Sequence, residues 1–279
     1  MKYTGGRFSG HKNLSLYYQR WLPKRNPEAV LLVVHGVCEH SGRYTNLVNY
    51  FVPKGYAICS FDHRGHGKSE GLQGYVERFL DYLIDLKTFF DIVCDEYGDI
   101  KIFLVGHSMG GTIATAYAMH HQHELAGLML SGAHLKAGSS SPASPTAAVM
   151  ARVLSSVLPK VGGPVLDASA ISQDEAVVDA YVNDPLVYHG RLRVRLGAEL
   201  NKTMQKLPSQ VAEINLPILI MHGTADRIAD PEGSQMLYER VGSKDKTLKL
   251  YKSFYHSIFD EPGHEQVFSD MGTWLTTRI

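Results

Sequence analysis

The stretch L-V-G-H-S-M-G-G-T, residues 104–112, places one serine between an apolar run and a helical pattern and surrounds it with glycines. Glycine weakens helix and strand interiors, so three of them here indicate a backbone that bends sharply or approaches another segment closely. The pentapeptide G-H-S-M-G matches G-x-S-x-G, which at a strand–turn–helix junction exposes the serine hydroxyl on a strained turn. The pattern therefore predicts a strand over 101–105, a helix over 111–120 and a nucleophilic Ser108, with an idle serine in a glycine-rich turn as the alternative.

Other short apolar runs recur along the 279 residues and predict more strands of the same sheet. The six runs span residues 29–36, 56–62, 101–106, 126–132, 216–223 and 248–251. Nearly continuous hydrophobicity over five or six residues is typical of parallel strands buried on both faces. Helical periodicity separates several of the runs, as in residues 76–93, and a hairpin around G-H-K-N (10–13) adds an antiparallel edge. The sequence thus predicts an α/β fold with a mostly parallel, doubly wound sheet of about eight strands.

The alternation of strand and helix stops between about residues 134 and 205. A linker-like S-S-S-P-A-S-P is followed by helical segments with no clear strand, and strands resume only near Leu216. We therefore predict a helical cap, residues 134–205, inserted after the sixth strand between core segments 1–133 and 206–279. Its apolar helix over 146–158 either covers an apolar pocket or touches a lipid surface, or simply packs against the core.

Composition excludes some classes of function. The formal net charge is zero, so no basic field favours nucleic acid, and we expect no nucleic-acid partner. Three cysteines, an odd number, fit a reducing compartment. With no apolar targeting segment at the start and no run long enough to span a bilayer, we expect a cytoplasmic protein that contacts membranes at most transiently, through the cap. The cluster H-H-Q-H (120–123) fits a solvated helix terminus better than a metal site, because no carboxylate or cysteine has ligand spacing beside it.

A serine nucleophile needs a base and an acid that orients the base, and in a sheet of this kind both follow later strands. Asp226 lies in the loop after strand 217–221, whereas Asp230 precedes a proline at a helix start and is predicted to be an N-cap. His256 follows strand 248–251, and His264, at a probable helix start, is the weaker candidate. His107 neighbours the serine but is expected to point away from it and to be structural.

The developing oxyanion of such a reaction requires backbone N–H donors. Met109 is predicted to supply one, because it begins the helix after the serine, where the helix dipole favours negative charge. The second donor is expected from the loop after the strand at 29–34, at Val37.

These motifs together resemble the α/β-hydrolase superfamily and, within it, the monoacylglycerol lipases and lysophospholipase-like serine hydrolases. The resemblance covers nearly the whole chain, and the segments that carry it are 35–44, 61–71, 106–111, 181–190, 222–231 and 255–257. It implies a catalytic triad at Ser108, Asp226 and His256 and oxyanion donors at Val37 and Met109, in agreement with the residue-based reasoning.

The resemblance also implies that Glu39, Arg43 and Tyr181 line the end of the site that accepts glycerol. Glu39 and Arg43 are equally compatible with a buried salt bridge that shapes the oxyanion loop. Two residues depart from the family pattern: Cys38 stands where glycine is common, and Phe259 stands where animal members carry a histidine on the alcohol side.

The implied activity is hydrolysis of a small lipid ester, a monoacylglycerol, to fatty acid and glycerol through an acyl-enzyme. This chemistry requires neither a metal nor an organic cofactor. The alternatives are a lysophospholipase or broad carboxylesterase, an aminopeptidase of the same superfamily, and a non-catalytic ligand-binding protein on this scaffold.

Overall fold

The computed structural model describes residues 1–139 and 155–279 and contains one sheet of eight strands. The strands are β1 (Lys2–Ser9), β2 (Ser15–Leu22), β3 (Ala29–Val34), β4 (Tyr56–Phe61), β5 (Ile102–His107), β6 (Gly127–Ser131), β7 (Ile218–Gly223) and β8 (Lys246–Tyr251). Their order across the sheet is β1-β2-β4-β3-β5-β6-β7-β8. Each predicted run is a strand, and the hairpin is also confirmed, with its turn at residues 11–13.

Strands β3 to β8 pair in parallel, while β2 pairs antiparallel with both β1 and β4. Every residue of the central strands β3, β4, β5, β6 and β7 is buried. This explains why their sequences are continuously apolar rather than alternating, since both faces of the sheet are covered.

Seven helices accompany the sheet in the described part of the chain. They are α1 (Thr45–Phe51), α2 (Phe79–Tyr97), α3 (Met109–His121), α4 (Glu175–Val182), α5 (Val194–Gln210), α6 (Pro231–Arg240) and α7 (His264–Thr276). Alternate residues of β3 enter two separate apolar clusters, Val30 and Leu32 with α2, α3, α5 and α6, and Leu31 and Val33 with α1 and α7. Helices therefore cover both faces, as predicted for a doubly wound sheet.

The chain between β6 and β7 carries α4 and α5, and its described residues contain no strand. Leucines on α5 pack into the larger core cluster, and Glu199 of the same helix accepts the Phe79 N–H at the start of α2. Helix α5 continues to Gln210, five residues beyond the predicted cap boundary, and the boundaries themselves remain a prediction. Most of the predicted apolar helix at 146–158 lies outside the described residues. Within residues 1–139 and 155–279, no helix combines the length and the apolar character that crossing a bilayer would require.

Candidate active site

Ser108 lies at the junction of β5 and α3 with φ 53° and ψ −121°, a conformation that costs a non-glycine residue about 1–3 kcal/mol. The surrounding backbone holds it there. The Ser108 N–H donates to the Ser131 carbonyl at 3.1 Å, and the Ser108 carbonyl accepts from the N–H groups of Gly111 and His134 at 2.9 and 3.0 Å. The local sequence thus folds into the sharp turn that the glycine spacing predicts.

The glycines around the serine allow close backbone approach. A Cβ on Gly110 would collide with the carbonyl oxygen of Val34 in the neighbouring strand. A Cβ on Gly106 would lie 2.6 Å from the Gly110 carbonyl oxygen, and one on Gly111 would lie 2.6 Å from the Cβ of Ala133. Side chains at these positions would push α3 away from the sheet and move the serine.

Asp226 and His256 meet across the ends of β7 and β8. The Nδ1 of His256 lies 2.6 Å from Asp226 Oδ2, while Asp226 Oδ1 accepts the backbone N–H groups of Ile228 and Ala229 at 2.8 and 3.0 Å. Burial alone would raise the pKa of Asp226, but the rings of His256 and His222 outweigh it and hold that pKa well below its usual range. Asp226 is therefore ionised and able to orient the imidazole.

The weaker candidates for the acid and the base, Asp230 and His264, lie at the starts of helices. Asp230 is the N-cap of α6, with its carboxylate accepting the Glu232 N–H at 3.0 Å and Pro231 at the first helical position, as expected. His264 begins α7, and its Nδ1 lies 2.9 Å from the Glu261 carbonyl oxygen.

Ser108 and His256 line the same cavity but are not hydrogen-bonded to each other. Its lining comprises Gly36, Val37, Glu39, Arg43, His107, Ser108, Leu166, Ile171, Tyr181, His256 and Ser257. Among the described residues, Ser108 Oγ has no hydrogen-bond partner. A catalytic Ser–His hydrogen bond is often long in the free enzyme and shortens when substrate binds.

His107 also lines this cavity, so the expectation that it points away from the serine is wrong. Its ring centroid lies 4.9 Å from that of His256, and its Nδ1 lies 3.0 Å from the Ser131 carbonyl oxygen. Burial lowers the pKa of His107 to about 4, so the ring is neutral at neutral pH. Ser108 lies at the sharp turn, and the side chain of His107, the last residue of β5, lines the same cavity.

The oxyanion candidates Val37 and Met109 have backbone N–H groups that donate to no acceptor in the described part of the chain. Met109 is the first residue of α3, and Val37 lines the cavity. Glu39 stabilises the loop that carries Val37, because its carboxylate accepts the Gly36 N–H at 2.5 Å and the Tyr44 hydroxyl at 2.8 Å. Cys38 in this loop has φ 68°, in the region that favours glycine, and burial raises the pKa of its thiol to about 12.

The polar end of the cavity is formed by Glu39, Arg43 and Tyr181, so the structure brings these three together. Arg43 lies 3.8 Å from the Glu39 carboxylate, and its guanidinium stands 4.8 Å from the centre of the Tyr181 ring. The buried Tyr181 hydroxyl has no hydrogen-bond partner in residues 1–139 and 155–279. Glu39 and Arg43 therefore form the ion pair and also line the cavity, so both of the alternatives predicted for them are present. Phe259 is buried, and its ring packs 5.5 Å from that of Phe268 and 6.4 Å from that of His107.

Sequence reasoning missed two buried residues next to the site, His222 and Glu261. His222, at the end of β7, contacts Asp226, and the fully buried Glu261 accepts two hydrogen bonds from Gln173. The sequence signals for His222 were its position four residues before the predicted acid and its place at the start of the segment 222–231. Elsewhere, His121 and His123 each lie within 4 Å of Glu124 beyond the end of α3, and the described residues contain no group of three or more potential metal ligands.

The order and direction of the strands, with Ser108 at the turn after β5 and helices on both faces, define the α/β-hydrolase fold. Two solved structures share it over nearly their whole length. Monoacylglycerol lipase from Paleococcus ferrophilus superimposes with a TM-score of 0.84 at 32% identity, covering 95% of this chain and 99% of that one. A soluble variant of monoglyceride lipase from Saccharomyces cerevisiae, in complex with a substrate analog, gives a TM-score of 0.90 at 27% identity, covering 100% and 95%.

The chain belongs to the family described as serine aminopeptidase, S33, whose match spans residues 25–263. Monoacylglycerol lipase from Mycolicibacterium smegmatis is 34% identical to it over 272 residues, which cover 98% of this chain and 96% of that protein.

Proposed function

We propose that this protein is a serine hydrolase that cleaves the ester bond of monoacylglycerols to release a fatty acid and glycerol. One observation carries the proposal: an ionised Asp226 holds His256 at 2.6 Å, in the cavity lined by the strained Ser108. The relatives named monoacylglycerol or monoglyceride lipase span nearly the whole chain at 33–34% identity, which favours a lipid ester over the peptide substrate that the family description suggests.

The first half of the reaction forms an acyl-enzyme. Ser108 Oγ attacks the ester carbonyl carbon while its proton passes to Nε2 of His256, and Asp226 stabilises the resulting imidazolium through Nδ1–H. The carbonyl oxygen becomes an oxyanion and accepts the N–H groups of Val37 and Met109. The bond to the glycerol oxygen then breaks, and that oxygen takes the proton from His256.

Water completes the reaction. It attacks the acyl carbonyl and gives a proton to His256, a second oxyanion forms at the same two N–H groups, and the bond to Ser108 breaks. The fatty acid leaves and Ser108 regains its proton. Because His256 carries every proton and Asp226 stabilises its charged form, the scheme uses no metal or organic cofactor.

The polar end of the cavity is assigned to the alcohol. The Glu39–Arg43 pair and the unpartnered Tyr181 hydroxyl offer both acceptors and donors for glycerol hydroxyl groups. Residues 134–205 are proposed to form the cap that encloses the acyl chain above core segments 1–133 and 206–279. Transient membrane contact through this cap and a cytoplasmic location remain predictions.

Replacing Ser108 with alanine tests the proposal. We expect kcat on a monoacylglycerol to fall at least about 1,000-fold, because the nucleophile is lost while binding is retained. Ser60→Ala is the matched control, since Ser60 is also buried but its hydroxyl donates to the Val33 carbonyl in the core. Undiminished turnover by Ser108→Ala would refute the assignment.

A substrate panel tests the choice of ester. The wild-type protein should hydrolyse monoacylglycerols faster than diacylglycerols, lysophospholipids, short p-nitrophenyl esters and aminoacyl p-nitroanilides. Preferred cleavage of the anilides would instead identify an aminopeptidase. Failure of a fluorophosphonate probe to label Ser108 would support a non-catalytic binding protein.

A further inference from the structure

A fully buried histidine stands directly behind the proposed catalytic acid. His222 occupies the fifth position of β7, and its Nε2 lies 3.0 Å from Asp226 Oδ2 and 3.2 Å from the Ala229 carbonyl oxygen. Asp226 Oδ2 is the same atom that His256 binds. Two imidazoles therefore converge on one carboxylate oxygen, and the mechanism above uses only one of them.

The surroundings of His222 place a proton on Nε2. Both neighbours of Nε2 are acceptors, a carboxylate and a carbonyl oxygen, so Nε2 carries a proton and donates it. Nδ1 lies 2.7 Å from the hydroxyl of Ser234 on α6, and that hydroxyl has no other partner in the described residues. A hydroxyl can donate as well as accept, so Ser234 can donate to Nδ1 while the donor Nε2–H of His222 is aimed at Asp226.

This arrangement holds the carboxylate from both sides. Backbone N–H groups of Ile228 and Ala229 fix Oδ1, and His222 supplies a donor to Oδ2 from inside the core. Without that donor, only the backbone N–H groups would oppose rotation of the Asp226 carboxylate about χ2. Rotation would move Oδ2 away from Nδ1–H of His256 and weaken the control of its tautomer.

We propose that His222 is a positioning residue for the proposed hydrolysis, orienting Asp226 toward His256 through Nε2–H, and that Ser234 sets the tautomer that makes this possible. The inference rests on the proposed function for its kinetic test, and its spectroscopic test is independent of any substrate.

Three variants separate the donor from the shape of the ring. His222→Leu removes the donor, and His222→Gln keeps an amide N–H at a similar distance from the main chain. Ser234→Ala removes the hydroxyl that contacts Nδ1 of His222. Ser60→Ala again controls for the loss of a buried hydroxyl. Each protein is measured for kcat and KM on a monoacylglycerol, for fluorophosphonate labelling, for thermal unfolding, and for the low-field proton NMR resonance of His256 Nδ1–H.

We expect His222→Leu to lower kcat about 10- to 100-fold with KM changed less than about twofold, as for a lost hydrogen bond to a charged group. Labelling should slow in parallel, and the low-field resonance should shift or broaden. His222→Gln should recover at least about half of the loss on a logarithmic scale. Ser234→Ala should lower kcat by about 2- to 10-fold, and Ser60→Ala should match the wild type.

Wild-type kcat with an unchanged resonance in His222→Leu would overturn the proposal, as would a His222→Gln variant that is folded and as deficient as His222→Leu. If His222→Leu does not fold, Ser234→Ala decides, since a wild-type kcat together with an unchanged resonance in that variant contradicts the positioning role. Failure of the proposed function looks different: the wild-type protein would neither hydrolyse esters nor react with the probe, whatever the resonance of His256 shows.

Discussion

Gly110 and Gly272 both lie within helices, but their surroundings differ completely. A Cβ on Gly110 would collide with the Val34 carbonyl oxygen, whereas a Cβ on Gly272 would meet nothing within 4 Å. We expect Gly110→Ala to lower the free energy of unfolding by about 1–3 kcal/mol or more through overpacking. Gly272→Ala should raise it by about 0.5–1 kcal/mol, because alanine loses less backbone entropy in a helix.

Urea denaturation of both glycine variants, with fluorophosphonate labelling, measures this contrast. Gly110→Ala should also label more slowly, since α3 carries Met109 and begins at the reactive serine. A Gly110→Ala variant as stable and reactive as the wild type would show that the close approach of α3 to β3 is not required.

At the scale of elements, the loop after β8 is tied to the segment before α4. The Ser257 N–H donates to the Ile171 carbonyl at 2.7 Å, and the buried Glu261 carboxylate accepts the backbone N–H and side-chain amide of Gln173 at 2.7 and 2.6 Å. These bonds join the loop that carries His256 to the chain between β6 and β7. These bonds therefore hold the His256 loop against the segment before α4.

Glu261→Ala is expected to lower the free energy of unfolding by about 1–3 kcal/mol, because it removes a fully buried carboxylate that accepts two hydrogen bonds from Gln173. It should also reduce kcat through the loss of a fixed His256 loop. Glu239→Ala, which removes an exposed glutamate on α6, is the control and should change stability by less than about 0.5 kcal/mol. Equal free energies of unfolding for the two variants would show that the hydrogen bonds between Glu261 and Gln173 do not stabilise the fold.

At the scale of the whole molecule, buried neutral histidines link stability to pH. Burial lowers the pKa of His66 and His134 to about 4, as it does for His107. In the unfolded chain these rings titrate near 6.5. Between these values the unfolded state binds more protons, so the free energy of unfolding falls as the pH falls, by up to about 1.4 kcal/mol per pH unit for each ring.

Denaturation with urea at pH 7, 6 and 5 checks this prediction. Two buried carboxyl groups oppose the trend, because burial raises the pKa of Asp85 and raises that of Asp260 to about 6, which lets the folded state bind protons first. Burial also lowers the pKa of His35 and His63. The histidines therefore outweigh the two carboxyl groups, and a net loss of stability is expected below about pH 6.5. His66→Gln should flatten the slope, and a stability that is constant from pH 7 to pH 5 would contradict the account.

The sequence by itself determined the features that depend on neighbouring residues. Continuous apolar runs predicted the buried parallel strands, because burial on both faces leaves no polar position. The glycines around Ser108 predicted the strained turn, because only residues without a side chain tolerate that closeness, and Asp230 before a proline predicted a helix cap.

Only the tertiary structure decided which distant groups meet at the site. Gln173 and Glu261 are 88 residues apart, and no local pattern pairs them. His222 is four residues from Asp226, but its ring faces the carboxylate only because the chain turns back after β7. Ser234 reaches the same ring only because α6 packs against β7. His107 was misjudged for the same reason, since the direction of its side chain depends on how α3 and the loop after β8 pack around it. Contacts of this kind are set by packing between elements, which residue spacing does not encode.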